Sequence, residues 1–372
     1  MRILHLITRS EPGGGQTIAS ILAGGAGSAG HEVAIAYGPE GNGEAWANLD
    51  PAIERILLPN LRRSISPARD LRALGEISRL CASWKPDILH LHTSKAAALG
   101  RLAGGIDRRR IVYTMHGYDQ LKTANRKLLH IDKALRKRCG AVVAVSRRDR
   151  DAMNRDGYEA LYIPNGVGES SGSLKLGNPA AKAMRAARSK GMTIALAVAR
   201  DAPPKRVDIL RVAARMLEGY VEIFWIGGLP TPQDPPNFNA MGALPNATAY
   251  LGLADIFLLA SEHEGMPVSL LEAFSAGLPV VASGVGGIPE LLGLTALDPE
   301  RALPERTVKT PYGYIVRNEV IAFADAIADL ASNHRFREEA GKEARLAWQR
   351  EYSAALMVER YGALYDRIRD QR

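Results

Sequence analysis

Ala254-Asp255-Ile256-Phe257-Leu258-Leu259-Ala260-Ser261-Glu262-His263-Glu264-Gly265-Met266-Pro267-Val268-Ser269-Leu270-Leu271-Glu272-Ala273-Phe274 is the stretch from which the fold is read. Residues 256–260 are apolar without alternation, as in a strand buried on both faces. The run ends at Ser261, a turn follows through Gly265, and Pro267 opens a helix, a position its fixed φ suits. The first N–H groups of such a helix can hold a diphosphate, helped by the helix dipole. Glu264 precedes the helix and Glu272 lies inside it. Two fixed carboxylates there can accept hydrogen bonds from paired sugar hydroxyls.

The same strand–turn–helix rhythm extends in both directions. Strands are expected at 2–7, 32–37, 88–92, 111–116, 141–146 and 161–163, and again at 193–197, 222–226, 247–250, 256–260, 279–282 and 313–316. Alternation of this kind gives parallel sheets flanked by helices. The length of 372 residues favours two domains. The seam falls near Asn165-Gly166-Val167, followed by a Gly- and Ser-rich linker over 169–179. The fold class expected is α/β, with two Rossmann-like domains, 1–166 and 167–350, facing across a cleft. Ligands of such sheets bind at the carboxyl ends of the strands.

Composition narrows the rest. Hydrophobic residues make up 46% and charged residues 24%, an ordinary globular balance. Residues 1–165 hold 25 Lys and Arg against 16 Asp and Glu; the remainder holds 23 against 24. The first half should therefore meet something anionic, such as a phosphate-bearing substrate or a lipid headgroup. The basic residues are dispersed and lack interleaved aromatics, which argues against nucleic acid. Cys81 and Cys139 show no metal spacing and read as two free thiols of a reducing compartment. The apolar start Met1–Ile7 is too short for a signal peptide and reads as a buried strand. No run reaches the ~20 apolar residues of a spanning helix. The expected location is cytosolic, with at most surface contact to the inner face of the cell membrane.

Four further groups of residues lie where strands should end. Arg200 and Lys205 stand in Ala199-Arg200-Asp201-Ala202-Pro203-Pro204-Lys205, after the 193–197 strand. Gly227 and Gly228 close the next strand, where absent side chains let a nucleotide approach the backbone. Gly13, Gly14 and Gly15 follow the first strand and open a helix, a phosphate-cradling arrangement without the GxGxxG spacing of a nicotinamide site. His90-Leu91-His92-Thr93-Ser94-Lys95-Ala96 and Thr114-Met115-His116-Gly117 end two more. Residues 126–138 form a basic amphipathic pattern with Leu128, Ile131 and Leu135 on one face, suited to an anionic membrane surface or to packing within the domain with a solvated basic face; the basic excess of the first half favours the membrane.

These motifs together resemble the retaining glycosyltransferases of the GT-B fold, the large family-four group marked by Glu-x7-Glu. The resemblance covers both domain cores, the hinge and the donor motifs. It implies that Glu272 holds the nucleotide ribose and that Glu264 contacts the donor sugar, helped by the backbone of Gly265, Met266, Pro267 and Val268. It implies that Arg200 and Lys205 meet the donor diphosphate, and that Gly13, Gly14 and Gly15 approach donor phosphate or acceptor. His116 would meet the donor sugar or its phosphate. The 90–101 stretch is similar to a subset that builds capsule, exopolysaccharide and O-antigen units; Ser94, Lys95 and Arg101 would then hold a lipid-diphosphate acceptor. In this family the terminal helix, here 351–372, crosses back to the first domain, with Leu346, Trp348, Tyr352 and Tyr361 packing at the crossing.

The chemistry so implied is transfer from a nucleotide sugar, UDP being the common base, with retention at the anomeric carbon by front-face attack. No carboxylate is placed as a covalent nucleophile, no cofactor is called for, and the lack of a matching DxD motif points to metal independence. A sugar-nucleotide epimerase of similar shape, or a non-catalytic nucleotide-sugar binder, are the alternatives. Departures from the family pattern are Ala199 where a glycine is usual, the short Pro-rich segment 229–243, and 294–310, which reads as an inserted loop.

Overall fold

A computed structural model describes residues 1–118, 121–122, 126–170, 174, 177–294, 303 and 305–370. The chain forms two compact units, Met1–Gly166 with Ala354–Arg372, and Val167–Ser353.

In the first unit seven strands form one sheet: β1 (Arg2–Ile7), β2 (Glu32–Tyr37), β3 (Glu54–Leu57), β4 (Ile88–Leu91), β5 (Ile111–Met115), β6 (Ala141–Ala144) and β7 (Ala160–Tyr162). Their order is β3-β2-β1-β4-β5-β6-β7 and every pair is parallel. The central strands β4, β5 and β6 are buried throughout, as wholly apolar runs between helical layers should be. The helix Gly14–Ser28 buries Ile18, Ala19, Leu22, Ala23 and Ala26, one face of a 3.6-residue repeat. It packs against the terminal helix Ala354–Asp370. A Cβ on Gly25 would lie 2.5 Å from a Val358 methyl, so glycine there permits the close helix crossing. The terminal helix buries Met357, Tyr361, Leu364, Tyr365 and Ile368 in this unit.

The second unit repeats the plan with β8 (Thr193–Val198), β9 (Val221–Ile226), β10 (Phe238–Ala240), β11 (Ile256–Leu259), β12 (Val280–Ser283), β13 (Thr307–Thr310) and β14 (Gly313–Val316). The order is β10-β9-β8-β11-β12-β14-β13, parallel except for the antiparallel β13–β14 pair. Trp348 and Tyr352 are buried here, and the Trp348 indole N–H donates to the Val167 carbonyl at 3.0 Å. Leu346 stays partly exposed. Both units are thus Rossmann-like sheets flanked by helices.

Several elements differ from the sequence reading. Residues 247–250 are not a strand: Ala247–Leu253 is a 3-10 turn entered through Asn246 in the left-handed region, φ 53°. A four-residue apolar run does not distinguish a buried turn from a strand. β3, β10 and β13, which have no apolar run to mark them, all lie at sheet edges. Part of the expected 294–310 loop is the strand β13; residues 295–302 and 304 lie outside the described set. The basic stretch contains the helix Arg126–Leu135. Leu135 and Asp132 turn inward while Ile131 is 49% exposed, and the Leu128 side chain lies outside the described set. Both cysteines are free, and burial pushes their thiols up to about 11.

Candidate functional site

The second sheet reverses its order between β8 and β11, since β8 leads to β9 and β11 to β12. Ligands of open parallel sheets bind where the loops leaving such a strand pair diverge. Here those loops are 199–206 and 260–267, the two segments that carry Arg200, Lys205 and Glu264.

Backbone bonds pin the loops together. The Arg206 N–H donates to the Ala260 carbonyl (3.0 Å) and the Glu262 N–H to the Pro204 carbonyl (2.9 Å). Ser261 N–H donates to Ser283 Oγ (2.9 Å), whose hydroxyl donates to Asn318 (2.5 Å), and Asn318 donates back to the Ser261 carbonyl (2.8 Å). On this frame Lys205 Nζ forms an ion pair with Glu264 Oε1, both side chains mostly buried. Arg200 stays exposed and forms no ion pair among the described residues. The site therefore presents one cation already paired and one available to an anion.

Glu264 is held from below by the loop after β12. Gly287 N–H donates to the carbonyls of Glu264 (3.2 Å) and Gly265 (3.1 Å). Gly286 sits at φ 56°, and a Cβ there would lie 1.6 Å from the Glu264 carbonyl oxygen. This support was missed in the sequence, although the Gly286-Gly287 pair was its visible signal. The helix itself is Val268–Ser275, with Pro267 as its N-cap and no capping side chain. Its first amides therefore lack intrahelical partners. Met266 and Pro267 are buried, and Gly265 and Val268 half-buried.

Glu272 lies half-buried within this helix, and its carboxyl has no hydrogen bond or ion pair among the described residues. Burial pushes it up to about 7. Its backbone is fixed from outside the helix: the Ser170 hydroxyl donates to the Glu272 carbonyl (2.8 Å), and the Ser170 N–H donates to Ser275 Oγ (3.0 Å). Arg345 anchors the same corner through the Ser275 carbonyl and Glu169. An unpartnered carboxyl on a rigid helix is prepared to accept from a ligand hydroxyl.

Gly227 departs from its expected role. At φ 128° its missing Cβ leaves room for the Ala199 carbonyl, which would lie 2.0 Å from a Cβ. The glycine shapes the Arg200 loop. Gly228 is likewise filled by Trp225.

In the first unit Gly13 caps the helix that Gly14 and Gly15 open. A Cβ on Gly15 would make ordinary contact, 3.6 Å, with His116 Cδ2, so the loop after β1 and the end of β5 meet. His116 is half-buried, and desolvation holds its imidazole down at about 4, which keeps it neutral. Ser94 starts the helix Ser94–Leu102. Lys95 pairs with Asp70 at 2.6 Å and donates to the Ser64 carbonyl at 2.5 Å, tying down the loop before the Pro67–Trp84 helix.

Arg101 corrects the acceptor assignment. Its side chain is wholly buried, with Nη2 donating to Asp132 at 2.5 Å, Nε donating to the Ala97 carbonyl at 3.0 Å and the guanidinium 4.9 Å above the Tyr113 ring. Tyr158 donates to the other Asp132 oxygen at 2.6 Å. This is a closed structural network, and no ligand reaches it.

His5, His90 and His92 were not read as a group. Their side chains are buried, and one nitrogen of each lies within 4.8 Å of one nitrogen of the others. Five of the six nitrogens already face a hydrogen-bond partner, and the group contains no carboxylate. His5 bonds His92, while His90, opposite His5 in the β1–β4 register, bonds the hydroxyls of Tyr365 and Thr114.

Comparison with known proteins agrees with this anatomy in both units. Residues 12–170 match the model of "Glycosyltransferase Family 4", and residues 193–333 that of "Glycosyl transferases group 1". An Escherichia coli UDP-Gal:alpha-D-GlcNAc-diphosphoundecaprenol alpha-1,3-galactosyltransferase is 26% identical over 266 residues, covering 64% of this chain and 68% of that one. The putative teichuronic acid biosynthesis glycosyltransferase TuaC of Bacillus subtilis is 27% identical, covering 70% and 69%. Among solved structures, Anabaena HepE in complex with UDP and glucose superposes with a TM-score of 0.80 at 16% identity, over 99% of this chain and 100% of that one. The fold is GT-B, and the chain is related to the family-four and group-one glycosyltransferases.

Proposed function

We propose that this protein is a retaining glycosyltransferase that takes a sugar from a nucleoside diphosphate, UDP favoured, and transfers it to a hydroxyl of a lipid-diphosphate-linked glycan in cell-surface polysaccharide synthesis. The observation that carries the reading is the unpartnered Glu272 carboxyl on the helix that follows the Lys205–Glu264 pair, at the point where the second sheet reverses order. Glu272 accepts from the ribose hydroxyls. Arg200, Lys205 and the amides ahead of Val268 take the charge that grows on the departing diphosphate. Glu264 orients the donor sugar and Lys205 together. The acceptor hydroxyl attacks from the face the diphosphate leaves, and the leaving phosphate takes its proton. No metal is required in this scheme.

Support for the acceptor class is the similarity to an enzyme whose name specifies a diphosphoundecaprenol substrate, together with the basic first half. Membrane contact through residues 126–138 belongs to the same proposal. No helix among the described residues is long and apolar enough to cross a membrane. The test is incubation with UDP-sugars and a GlcNAc-diphosphate-lipid acceptor, with and without EDTA. The expected product is a glycosylated lipid with the donor's anomeric configuration, formed equally with chelator. Conversion of the donor to an epimer without acceptor would instead identify an epimerase. Binding without release of nucleoside diphosphate would identify a non-catalytic binder.

A further inference from the structure

Three imidazoles stand in a row in the first unit. His5 Nδ1 lies 3.0 Å from His92 Nε2, and His92 Nδ1 lies 3.5 Å from His116 Nε2. His5 and His92 are buried, at 0% and 2% exposure. Burial holds all three rings in the neutral form. A neutral imidazole carries one N–H and one acceptor nitrogen. Because both nitrogens of His92 face other imidazoles, the three protons must all point along the row the same way.

The two directions differ at the buried end. If the protons point inward, His92 donates to His5 Nδ1 and the His5 proton must sit on Nε2. That nitrogen is buried and has no partner among the described residues. If they point outward, His5 donates to His92, His92 donates to His116 Nε2, and the buried end is a bare lone pair. An orphaned buried N–H is the rarer defect. The outward direction leaves the His116 proton on Nδ1. That nitrogen has no partner among the described residues and is not sealed from solvent.

We propose that His5 and His92 are positioning residues that fix His116 as its Nδ1–H tautomer, so that the strand end presents a hydrogen-bond donor and selects a ligand oxygen, on a sugar hydroxyl or on a phosphoryl group. A ligand N–H or a metal ion is disfavoured at that nitrogen. The proposal rests on the donor-site reading only for what His116 meets.

The test is a long-range nitrogen–proton NMR correlation of the full chain labelled with 15N in its histidine rings, with His116 assigned by His116→Gln. Without nucleotide, His116 should show the Nδ1–H pattern. In His92→Leu, checked for an intact melting transition, it should revert to Nε2–H. The KM for donor should then rise about tenfold, the worth of one hydrogen bond, with kcat changed less. Added UDP and UDP-glucose separate the ligand sources. A His116 shift with both identifies a phosphoryl oxygen, and one with UDP-glucose alone a sugar oxygen. A response to neither, or an Nε2–H pattern in the unliganded wild type, overturns the proposal. So does added Zn2+ that shifts His5, His90 and His92 together. The tautomer is read without turnover, so it can fail while the transferase reading stands, and the reverse.

Discussion

Glu272 has a folded-state pKa near 7 against an ordinary value of 4.5, because burial disfavours its charge. Its contribution to stability is therefore full below about 4.5 and is lost as pH rises through 7. In the proposed donor complex ribose hydroxyls would donate to the ionised form, so donor binding would release a proton. Titration calorimetry with an intact UDP-sugar, which has no phosphate ionisation near neutrality, should show affinity rising between about pH 6 and pH 8. The Glu272→Gln variant should bind more weakly, with a flat profile. Lys205→Ala should lower kcat by roughly 100- to 1000-fold, the scale of one lost donor to a developing anion; a loss confined to KM would place Lys205 in ground-state binding only. At this scale the sequence singled out Lys205, Glu264 and Glu272, of which the fold sets the first two in one ion pair and the third on the helix that follows. It misled at Arg101, because a guanidinium that closes a core network and one that grips phosphate look alike without the partner Asp132.

Elements decide whether those side chains are held in place. The Gly286 turn supports Glu264 from a loop more than twenty residues away. In Gly286→Ala a Cβ would collide with the Glu264 carbonyl and also force a side chain into the left-handed region. The expected result in steady-state assays is a fall in kcat/KM of about tenfold or more with the melting temperature little changed, since the strain falls on the loop. The Arg126–Leu135 helix is anchored by Asp132, so Asp132→Ala leaves a buried guanidinium unpaired. Urea unfolding should register a loss of about 3–5 kcal/mol. Central strands were legible because burial on both faces demands unbroken apolar runs. Edge strands β3, β10 and β13 were not, because pairing on one side needs no such run. The inward turn of Asp132 on the basic helix was hidden for a related reason: periodicity locates a stripe, but an inward Asp satisfied by Arg101 and Tyr158 reads as polar surface.

The chain repeats one plan in its two units, each with a strand-order reversal in its sheet. That doubling was readable in the alternation of apolar runs and turns, and it matches the two glycosyltransferase models found in the two halves. Contacts distant in sequence left a fainter trace, as with Gly25 against Val358 and His90 against Tyr365 at 2.7 Å. The most direct test of the central claim is the UDP-induced shift in melting temperature of the wild-type chain and of Glu272→Ala. At 100 times its Kd, bound UDP should add about 2.7 kcal/mol of stability. The account predicts a clear upward shift in the wild type that is lost in the variant. No shift in the wild type, or an equal shift in both, would contradict it.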